Sequence, residues 1–490
     1  MRRLCSVLIL FAFGSFAVAQ QPPGSDIEVP GVDYKVPLDT EDLQLAYLPI
    51  KDEAIKQLAK LKNLKFLGLS HTKITDQGLI ELGKMKQLAA LNLVATATTD
   101  EGLRHLKELQ KLERLELEFT KVTDAGLREL KDLTRLDDLG LGGTKVTIAG
   151  VLELKQIKKL RLLRINWSDS DLGKLAGLGN LAVLDLRETA ASDSSMRQLS
   201  SLKGLKWMDL SETKVTDEGL SLLHGLDYLR LSGTEVTGSG LKNLQTLKGI
   251  NLSKTKVSDS SIVYLGGLAG LDELVLERTS VTDGGILALK KLTKIKTLVL
   301  SGTEVTGKSL GHFPLLESLD LSKDGSSVEG LSELRGATKL SYLRLSTTRL
   351  RERGRKELGM LEQLTMLDLS FTFMKDEEFK DLKGLKNLKY LSLHGTWIQD
   401  EGLDVIAEFK NLETLNLSSS RVTDGGMAKL RNLSKLRSLQ LNETKVSDSG
   451  LKELSALKHL KLLTLTDTFV TEAGIRQFSA AVPNCQVYRR

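Results

Sequence analysis

The sequence predicts an α/β solenoid, in which a parallel β-sheet lines the concave face and short helices line the convex face. Two observations predict it: one short unit recurs along the chain, and each copy changes its apolar spacing halfway. In residues 64–82, Leu67 and Leu69 alternate as in a half-buried strand, whereas Leu79 and Leu82 are three residues apart, as on a helix. One unit cannot bury its own apolar side, so the copies must stack.

Nineteen copies of this unit occupy most of the 490-residue chain. We take Thr72, in the turn after the strand, as an index position. Fourteen of the eighteen gaps between index positions are 24 residues, and four, following 168, 213, 234 and 303, are 21. The index positions are 48, 72, 96, 120, 144, 168, 189, 213, 234, 255, 279, 303, 324, 348, 372, 396, 420, 444 and 468. Such regularity predicts one continuous array of strands.

The second half of the unit reads T-D-x-G-L, as at 75–79. Thr75 and Asp76 have the side chains that favour a helix start, because a hydroxyl accepts from the first amides and a carboxylate suits the positive end. Gly78 predicts close packing against the neighbouring coil. The index threonines are expected to hydrogen-bond turn backbone between successive coils.

The period and pattern resemble the leucine-rich repeat family over roughly residues 40–480. The T-D-x-G-L half is similar to the cysteine-containing subclass, which is known from the substrate-receptor arms of F-box proteins and from many exported bacterial proteins. Thr stands here where that subclass has Asn or Cys at the index. The resemblance implies a solenoid that docks a protein partner on its concave face.

The amino-terminal segment predicts export. Arg2 and Arg3 precede an apolar stretch, and Ala17–Ala19 forms an A-x-A cleavage site, so residues 1–19 read as a signal peptide. The alternative, a membrane anchor, requires a longer apolar run. We therefore expect a periplasmic or extracellular protein with a leader and N-terminal cap at 20–40 (flexible over Gln20–Asp33), a solenoid at 41–475 and a C-terminal cap at 476–490.

Composition argues against several functions. Lys and Arg total 69 against 63 Asp and Glu, a mild excess without the concentrated basic face of a nucleic-acid-binding protein. Of the two cysteines, Cys5 lies in the predicted signal peptide and Cys485 near the carboxyl end, so no internal disulfide is expected. The six histidines and the repeated aspartates form no motif for catalysis or for a metal. We predict no enzyme activity, cofactor, metal or later membrane span.

Candidate binding residues are strand residues that point away from the core, at index −6, −4 and −2, with −1 beside them. Most of these positions hold small polar residues, but two regions carry aromatics and arginines, which are typical of binding hot spots. The predicted partner-binding residues are Arg164, Trp167, Arg187, Trp207, Asp209, Tyr228, Arg230, Tyr342, Arg344, Phe371, Tyr390 and His394. Phe373 and Trp397 lie just past the index, at the loop edge. The alternative is that these ladders only stabilise adjacent strands.

The leading hypothesis is a non-catalytic, exported scaffold that docks a protein partner. The first alternative is a glycan-binding or cell-wall-binding module that uses the aromatic residues. A ubiquitin-ligase substrate receptor is disfavoured, because about twenty residues between the cleavage site and the first unit leave no room for an adaptor-binding module. The sequence specifies neither the partner's identity nor the oligomeric state.

Overall fold

The computed structural model describes residues 26–161, 165, 167–323 and 327–489. The predicted signal peptide, 1–19, lies outside these residues. The chain divides into two compact units. Unit 1 comprises the residues up to Val236 together with 243–249, and unit 2 comprises 237–242 together with the residues from Ile250 onward. The division lies within the 21-residue gap that follows index position 234, and both β12 (Gly249–Asn251) and a 3₁₀ helix (Ser239–Asn243) lie on it.

Unit 1 is a stack of strand–turn–helix coils. Its described strands form a parallel sheet in which each pairs with the next: β3 (Asp42–Gln44), β4 (Phe66–Gly68), β5 (Ala90–Asn92), β6 (Arg114–Glu116), β7 (Asp138–Gly140), β8 (Lys159–Arg161), β9 (Val183–Asp185), β10 (Trp207–Asp209) and β11 (Tyr228–Arg230). The α-helices are α1 (Asp52–Leu58), α2 (Asp76–Leu82), α3 (Asp100–Leu103), α4 (Asp124–Arg128), α5 (Ile148–Leu152), α6 (Asp169–Gly173), α7 (Asp193–Leu199) and α8 (Asp217–Leu220), with 3₁₀ helices at Arg104–Glu108 and Lys174–Gly177.

A two-stranded antiparallel sheet precedes the first coil. It pairs β1 (Asp26–Ile27) with β2 (Val36–Pro37), and Ile27, Val29 and Val36 are buried. The expectation of a flexible leader over Gln20–Asp33 is therefore wrong for residues 26–33. This small sheet provides apolar side chains beside the first coil, where a solenoid end needs covering.

Unit 2 repeats the same architecture. Its parallel strands are β13 (Glu273–Val275), β14 (Thr297–Val299), β15 (Ser318–Asp320), β16 (Tyr342–Arg344), β17 (Met366–Asp368), β18 (Tyr390–Ser392), β19 (Thr414–Asn416), β20 (Ser438–Gln440), β21 (Leu462–Thr464) and β22 (Gln486–Tyr488). The α-helices are α9 (Asp283–Ala288), α10 (Glu352–Leu358), α11 (Leu403–Ile406), α12 (Asp424–Leu430), α13 (Asp448–Leu454) and α14 (Glu472–Ala481). The 3₁₀ helices are Ile262–Gly267, Leu310–His312, Leu331–Gly336 and Asp376–Leu382. Each unit thus confirms the predicted fold class.

Leucine fills the core of both units. In the coil at 64–82, Leu67, Leu69, Leu79 and Leu82 have no exposed surface. The index residue Thr72 is also buried, but its hydroxyl donates to the Leu69 carbonyl of its own coil at 2.6 Å. The expectation that the index threonines bond between coils is therefore wrong.

An aspartate–threonine ladder joins successive coils instead. The Asp52 carboxylate accepts from both the backbone N–H (2.8 Å) and the hydroxyl (2.6 Å) of Thr75 in the next coil. The same pair of bonds recurs where this motif recurs, as donated by Thr123 to Asp100 in unit 1 and by Thr423 to Asp400 in unit 2. Each Asp also starts its own helix, so one carboxylate serves two coils. Charge-assisted bonds of this kind each contribute roughly 1.5–3 kcal/mol.

The ladder explains the glycine of T-D-x-G-L. A Cβ on Gly219 would lie 2.3 Å from Asp193 Oδ1 of the preceding coil, and one on Gly126 would lie 2.5 Å from Asp100 Oδ1. This confirms the predicted close packing, and the close neighbour is the ladder carboxylate itself.

One coil has a different register from the one predicted. Strand β8 pairs Lys159 with Asp138 on one side and with Val183 on the other. The index follows the first strand residue by six, so it is Ile165 and not Ser168. Ser168 is instead the helix cap, whose hydroxyl accepts from the Asp171 N–H at 3.2 Å. The 21-residue gap therefore follows 144.

The sequence alone could not distinguish the two registers. The spacing L-x-x-L-x-L is satisfied twice, three residues apart, in I-K-K-L-R-L-L-R-I. The two readings are Ile157-Leu160-Leu162 and Leu160-Leu163-Ile165.

Candidate functional site

Neighbouring strands in unit 1 place two aromatic side chains side by side. Trp207 of β10 lies opposite Tyr228 of β11, and Asp209 lies opposite Arg230. The Arg230 guanidinium lies 5.5 Å from the centre of the Trp207 ring, within the range of a cation–π contact. Trp207, Tyr228 and Arg230 are all half-buried on the sheet face. The structure thus brings together four of the predicted residues, Asp209 among them.

Arg187, two residues after β9, extends this cluster. Its guanidinium makes a 2.7 Å bond to Asp185 and lies 3.4 Å from the Asp209 carboxylate. Asp209 is also 3.9 Å from Arg230, so it lies between two arginines. We call Arg187, Trp207, Asp209, Tyr228 and Arg230 the unit 1 cluster.

Asp209 is the buried member of this cluster and is only 1% exposed. Burial raises the pKa of its carboxyl, and the nearby Asp185 carboxylate acts in the same direction, although the Ser211 N–H and Arg187 oppose them. Oδ1 accepts from the Ser211 N–H at 2.9 Å, whereas Oδ2 has no hydrogen bond within the described residues. Asp209 therefore orients the arginines and does not itself present a surface to a partner.

The register shift changes the prediction for Trp167 and Arg164. Trp167 is 8% exposed, and its indole N–H donates to the Val146 carbonyl at 2.8 Å. It occupies the core position that Ile74 fills in the opening coil, so its assignment as a surface residue is wrong. Arg164 lies outside the described residues.

Arg161 takes the sheet-face position that was expected for Arg164. Its guanidinium contacts Asp138 and lies 3.3 Å from both Glu116 and Glu118. Burial lowers the pKa of Arg161, but the three carboxylates outweigh it and raise the pKa overall. In contrast, burial raises the pKa of Glu118 despite Arg161. Arg161 thus balances only part of the charge of three carboxylates, and Arg114 (3.0 Å) and Lys159 (3.8 Å) also approach Asp138.

Unit 2 carries the second predicted group. Arg344 lies between the carboxylates of Asp320 (3.5 Å) and Asp368 (3.2 Å) on the flanking strands. Tyr342 and Tyr390 are both half-buried, with Met366 between them in register. Burial raises the pKa of Tyr342 to about 12, and the Asp368 carboxylate adds to this effect. The tyrosine hydroxyl therefore remains protonated and able to donate at neutral pH.

Phe371 and His394 also meet. Their ring centres are 4.7 Å apart with the planes at 80°, and His394 Nδ1 lies 3.1 Å from the Ser418 carbonyl. Phe371 has a left-handed backbone (φ 56°) and is 46% exposed. The next coil has Gly395 here, where a Cβ would lie 2.5 Å from the Phe371 ring. The glycine thus leaves space for this ring.

A third group lies at the loop edge of unit 2. Phe373 and Trp397 have ring centres 5.1 Å apart with planes at 63°, and the Arg421 guanidinium lies 5.0 Å from the Trp397 ring centre. Phe373 and Trp397 remain 60% and 43% exposed. We call these three residues the edge platform.

The edge platform borders a pocket of about 640 Å³. Besides Trp397 and Arg421, the lining residues are Lys375, Asp376, Glu377, Gln399 and Glu401. Burial raises the pKa of Asp376, and the Glu401 carboxylate adds to the rise, although the Gln399 N–H opposes it. The sequence analysis noted Phe373 and Trp397 but missed the pocket. The missed signal was the loss of Thr at 375 and 399, where most coils have a Thr or Ser cap.

Other kinds of site are absent from the described parts of the chain. They contain no group of three or more His, Cys, Asp or Glu that could hold a metal ion. No helix in the same residues is long and apolar enough to cross a membrane. Cys485 is buried, and burial raises the pKa of its thiol to about 12, so it is not an activated nucleophile.

Comparisons with known proteins agree with this geometry. A family model described as "Leucine Rich repeat" matches residues 60–83, 384–407, 410–430 and 432–455. No curated protein matches the chain. Among solved structures, the TLR13–ssRNA13 complex has a TM-score of 0.62 at 20% identity, covering 89% of this chain and 67% of that one. The mouse RP105/MD-1 complex has a TM-score of 0.60 at 19% identity, covering 88% and 84%.

The repeats, the four matched segments and the structure agree on one architecture: this chain has the fold of a leucine-rich repeat solenoid. At these identities, the likeness to solved structures extends to the fold alone. Proteins of this architecture use their extended sheet surface for binding.

Proposed function

We propose that the protein is a non-catalytic, exported interaction scaffold, and that the unit 1 cluster docks a protein partner. The observation that carries this proposal is the pairing of Trp207 with Tyr228 on adjacent strands, with Arg230 against the Trp207 ring. Trp, Tyr and Arg are the residue types that dominate binding energy at protein interfaces. Here they are held on rigid strands, so little conformational entropy is lost on binding.

The charges beneath the cluster support the same role. Asp185 and Asp209 are almost fully buried and hold Arg187 in a fixed orientation. Two arginines therefore stand over two aspartates, and the cluster carries little net charge. We propose that the partner contributes an apolar or aromatic surface with hydrogen-bond acceptors at its rim, since arginine donors at the edge of the cluster remain partly exposed.

The corresponding group in unit 2 supports a different role. Arg344 is held by carboxylates on both flanking strands, and Met366 separates Tyr342 from Tyr390. This arrangement favours strand stabilisation, the alternative considered from the sequence. We therefore assign partner binding to the unit 1 cluster. The export assignment rests on residues 1–19 alone.

The test is affinity capture with the mature chain from the extracellular or envelope fraction of its own source. We expect the double variant Trp207→Ala/Tyr228→Ala to lose at least tenfold of the captured partner, measured by quantitative mass spectrometry. Tyr264→Ala is the matched control, because Tyr264 is 47% exposed and lies in the 3₁₀ helix Ile262–Gly267, outside the sheet. Equal capture by the parent and the double variant would contradict the proposed site.

A further inference from the structure

Two departures from the repeat pattern coincide in unit 2. The first concerns the position just past the index, which is charged or small in most coils, such as Lys73 and Lys121, but is Phe373 and Trp397 in two consecutive coils. Exposed aromatics in place of lysine are not required by the solenoid, since the same position is solvated elsewhere. A contiguous apolar patch at an exposed edge indicates an interaction site.

The second departure is a break in the aspartate–threonine ladder. The cap position holds Thr or Ser in most coils, but Arg351, Lys375 and Gln399 occupy it in three consecutive coils. Asp376 consequently accepts the Gln399 N–H at 2.8 Å, but the cap residue offers no hydroxyl like the one that the next ladder carboxylate, Asp400, receives from Thr423 at 2.6 Å. The coils that carry the exposed aromatic residues therefore lack the hydroxyl–carboxylate hydrogen bond that stabilises the regular coils.

These changes together build the pocket beside the edge platform. Arg421 against one ring and Phe373 at an angle to it hold Trp397 in place. The pocket volume of about 640 Å³ lies within the range of about 300–1,000 Å³ that is typical of small-molecule sites. The pocket is thus suited to a ligand much smaller than a folded protein.

The lining chemistry selects the ligand class. Lys375 and Arg421 supply donors, Asp376, Glu377 and Glu401 supply acceptors, and the Gln399 amide can do both. A strongly charged ligand would meet like charges among these groups, whichever its sign. A neutral ligand with many hydroxyl groups satisfies donors and acceptors alike, and the C–H faces of a sugar ring pack well against aromatic rings.

We infer that the edge platform and its pocket bind a neutral oligosaccharide. Phe373 and Trp397 pack against the sugar rings, and the polar groups of the pocket hydrogen-bond the hydroxyls. This site is separate from the unit 1 cluster and uses none of its residues. Its failure or success is therefore distinguishable from that of the proposed protein-docking function.

The test is calorimetric titration of the full mature chain with cellohexaose, maltohexaose and chitohexaose. We expect at least one of them to bind, and Trp397→Ala and Phe373→Ala to raise its Kd at least tenfold. Phe469→Ala is the matched control, because Phe469 holds the same position of its coil and is 70% exposed but belongs neither to the edge platform nor to the pocket lining. Its Kd should equal that of the parent.

A restoring variant separates binding from folding. Gln399→Thr provides the missing hydroxyl for Asp376, so we expect a higher melting temperature together with weaker oligosaccharide binding. Loss of affinity in a more stable protein is not due to unfolding. Absence of binding to all three hexasaccharides at millimolar concentration, or equal affinity in the parent and Trp397→Ala, would overturn the inference. Protein captured at Trp397 in place of sugar would also overturn it.

Discussion

Two pairs of successive coils in unit 2 are joined by different sets of hydrogen bonds. At Asp400 and Thr423, the regular ladder joins two coils through a backbone N–H and a hydroxyl on one carboxylate. One coil earlier, the cap residue Gln399 donates its backbone N–H to Asp376 and has no hydroxyl to add a second bond. In the regular coils, the polar side chains at these positions thus hydrogen-bond one coil to the next. In the coils where the ladder is broken, the polar side chains line an open pocket instead. This contrast indicates that positions not needed to join the coils are the ones available for binding.

The largest expected effect comes from removing a regular ladder carboxylate. Asp400→Ala removes two charge-assisted bonds and should lower the free energy of unfolding by about 3 kcal/mol. Asp376→Ala removes the bond from the Gln399 N–H and should cost about 1.5 kcal/mol. Urea unfolding followed by circular dichroism measures both, and hydrogen exchange of the Thr423 amide reports the loss locally. Equal losses in the free energy of unfolding for the two substitutions would show that the ladder break does not affect stability.

A smaller effect is expected at the glycine that the ladder requires. The Cβ of Gly219→Ala would clash with Asp193 Oδ1, so we expect about 1–2 kcal/mol of destabilisation. In an Asp193→Ala background the carboxylate is removed and only the backbone Cα of residue 193, at 3.0 Å, remains close, so the same change should cost less than in the parent. A double-mutant cycle by urea unfolding measures this coupling. Additive costs would mean that the glycine is needed for another reason.

The smallest expected effect is an opposite pH dependence of two aspartates. Hydrogen bonds from the Thr471 N–H and hydroxyl lower the pKa of Asp448, whereas burial raises the pKa of Asp376. The stability that Asp448 contributes is present above the ordinary value of 3.8 and is lost as the pH falls through its lower folded pKa. The charged Asp376 destabilises the fold above its raised pKa, and this penalty disappears as the pH falls below 3.8.

Asn substitutions test this difference. Asp448→Asn should destabilise the protein at pH 7, with a deficit that shrinks below about pH 4. Asp376→Asn keeps the acceptor for the Gln399 N–H and should stabilise slightly at pH 7, with a gain that vanishes below about pH 4. Melting temperatures across the pH range measure both trends. The same sign for the two variants at neutral pH would contradict the assigned pKa shifts.

Much of the fold was predictable from particular residues. Leu67 and Leu69 alternate because successive strand side chains face opposite sides, and the regular gaps place each such pair on its neighbours. Thr75, Asp76 and Gly78 predicted a helix start and a close approach, and both predictions are confirmed. The sheet-face positions of Trp207, Tyr228 and Arg230 also followed from this alternation.

The sequence by itself determined the solenoid, since period and alternation are local properties of the chain. Only the tertiary structure decided the register at Lys159–Arg161, because two equally spaced sets of apolar residues compete there and packing against β7 and β9 selects one. That choice buried Trp167. The structure also decided what Asp76 and Asp376 do, because the groups that an aspartate contacts in the next coil lie 23 residues away in sequence. Contacts between coils depend on stacking, which no single repeat encodes.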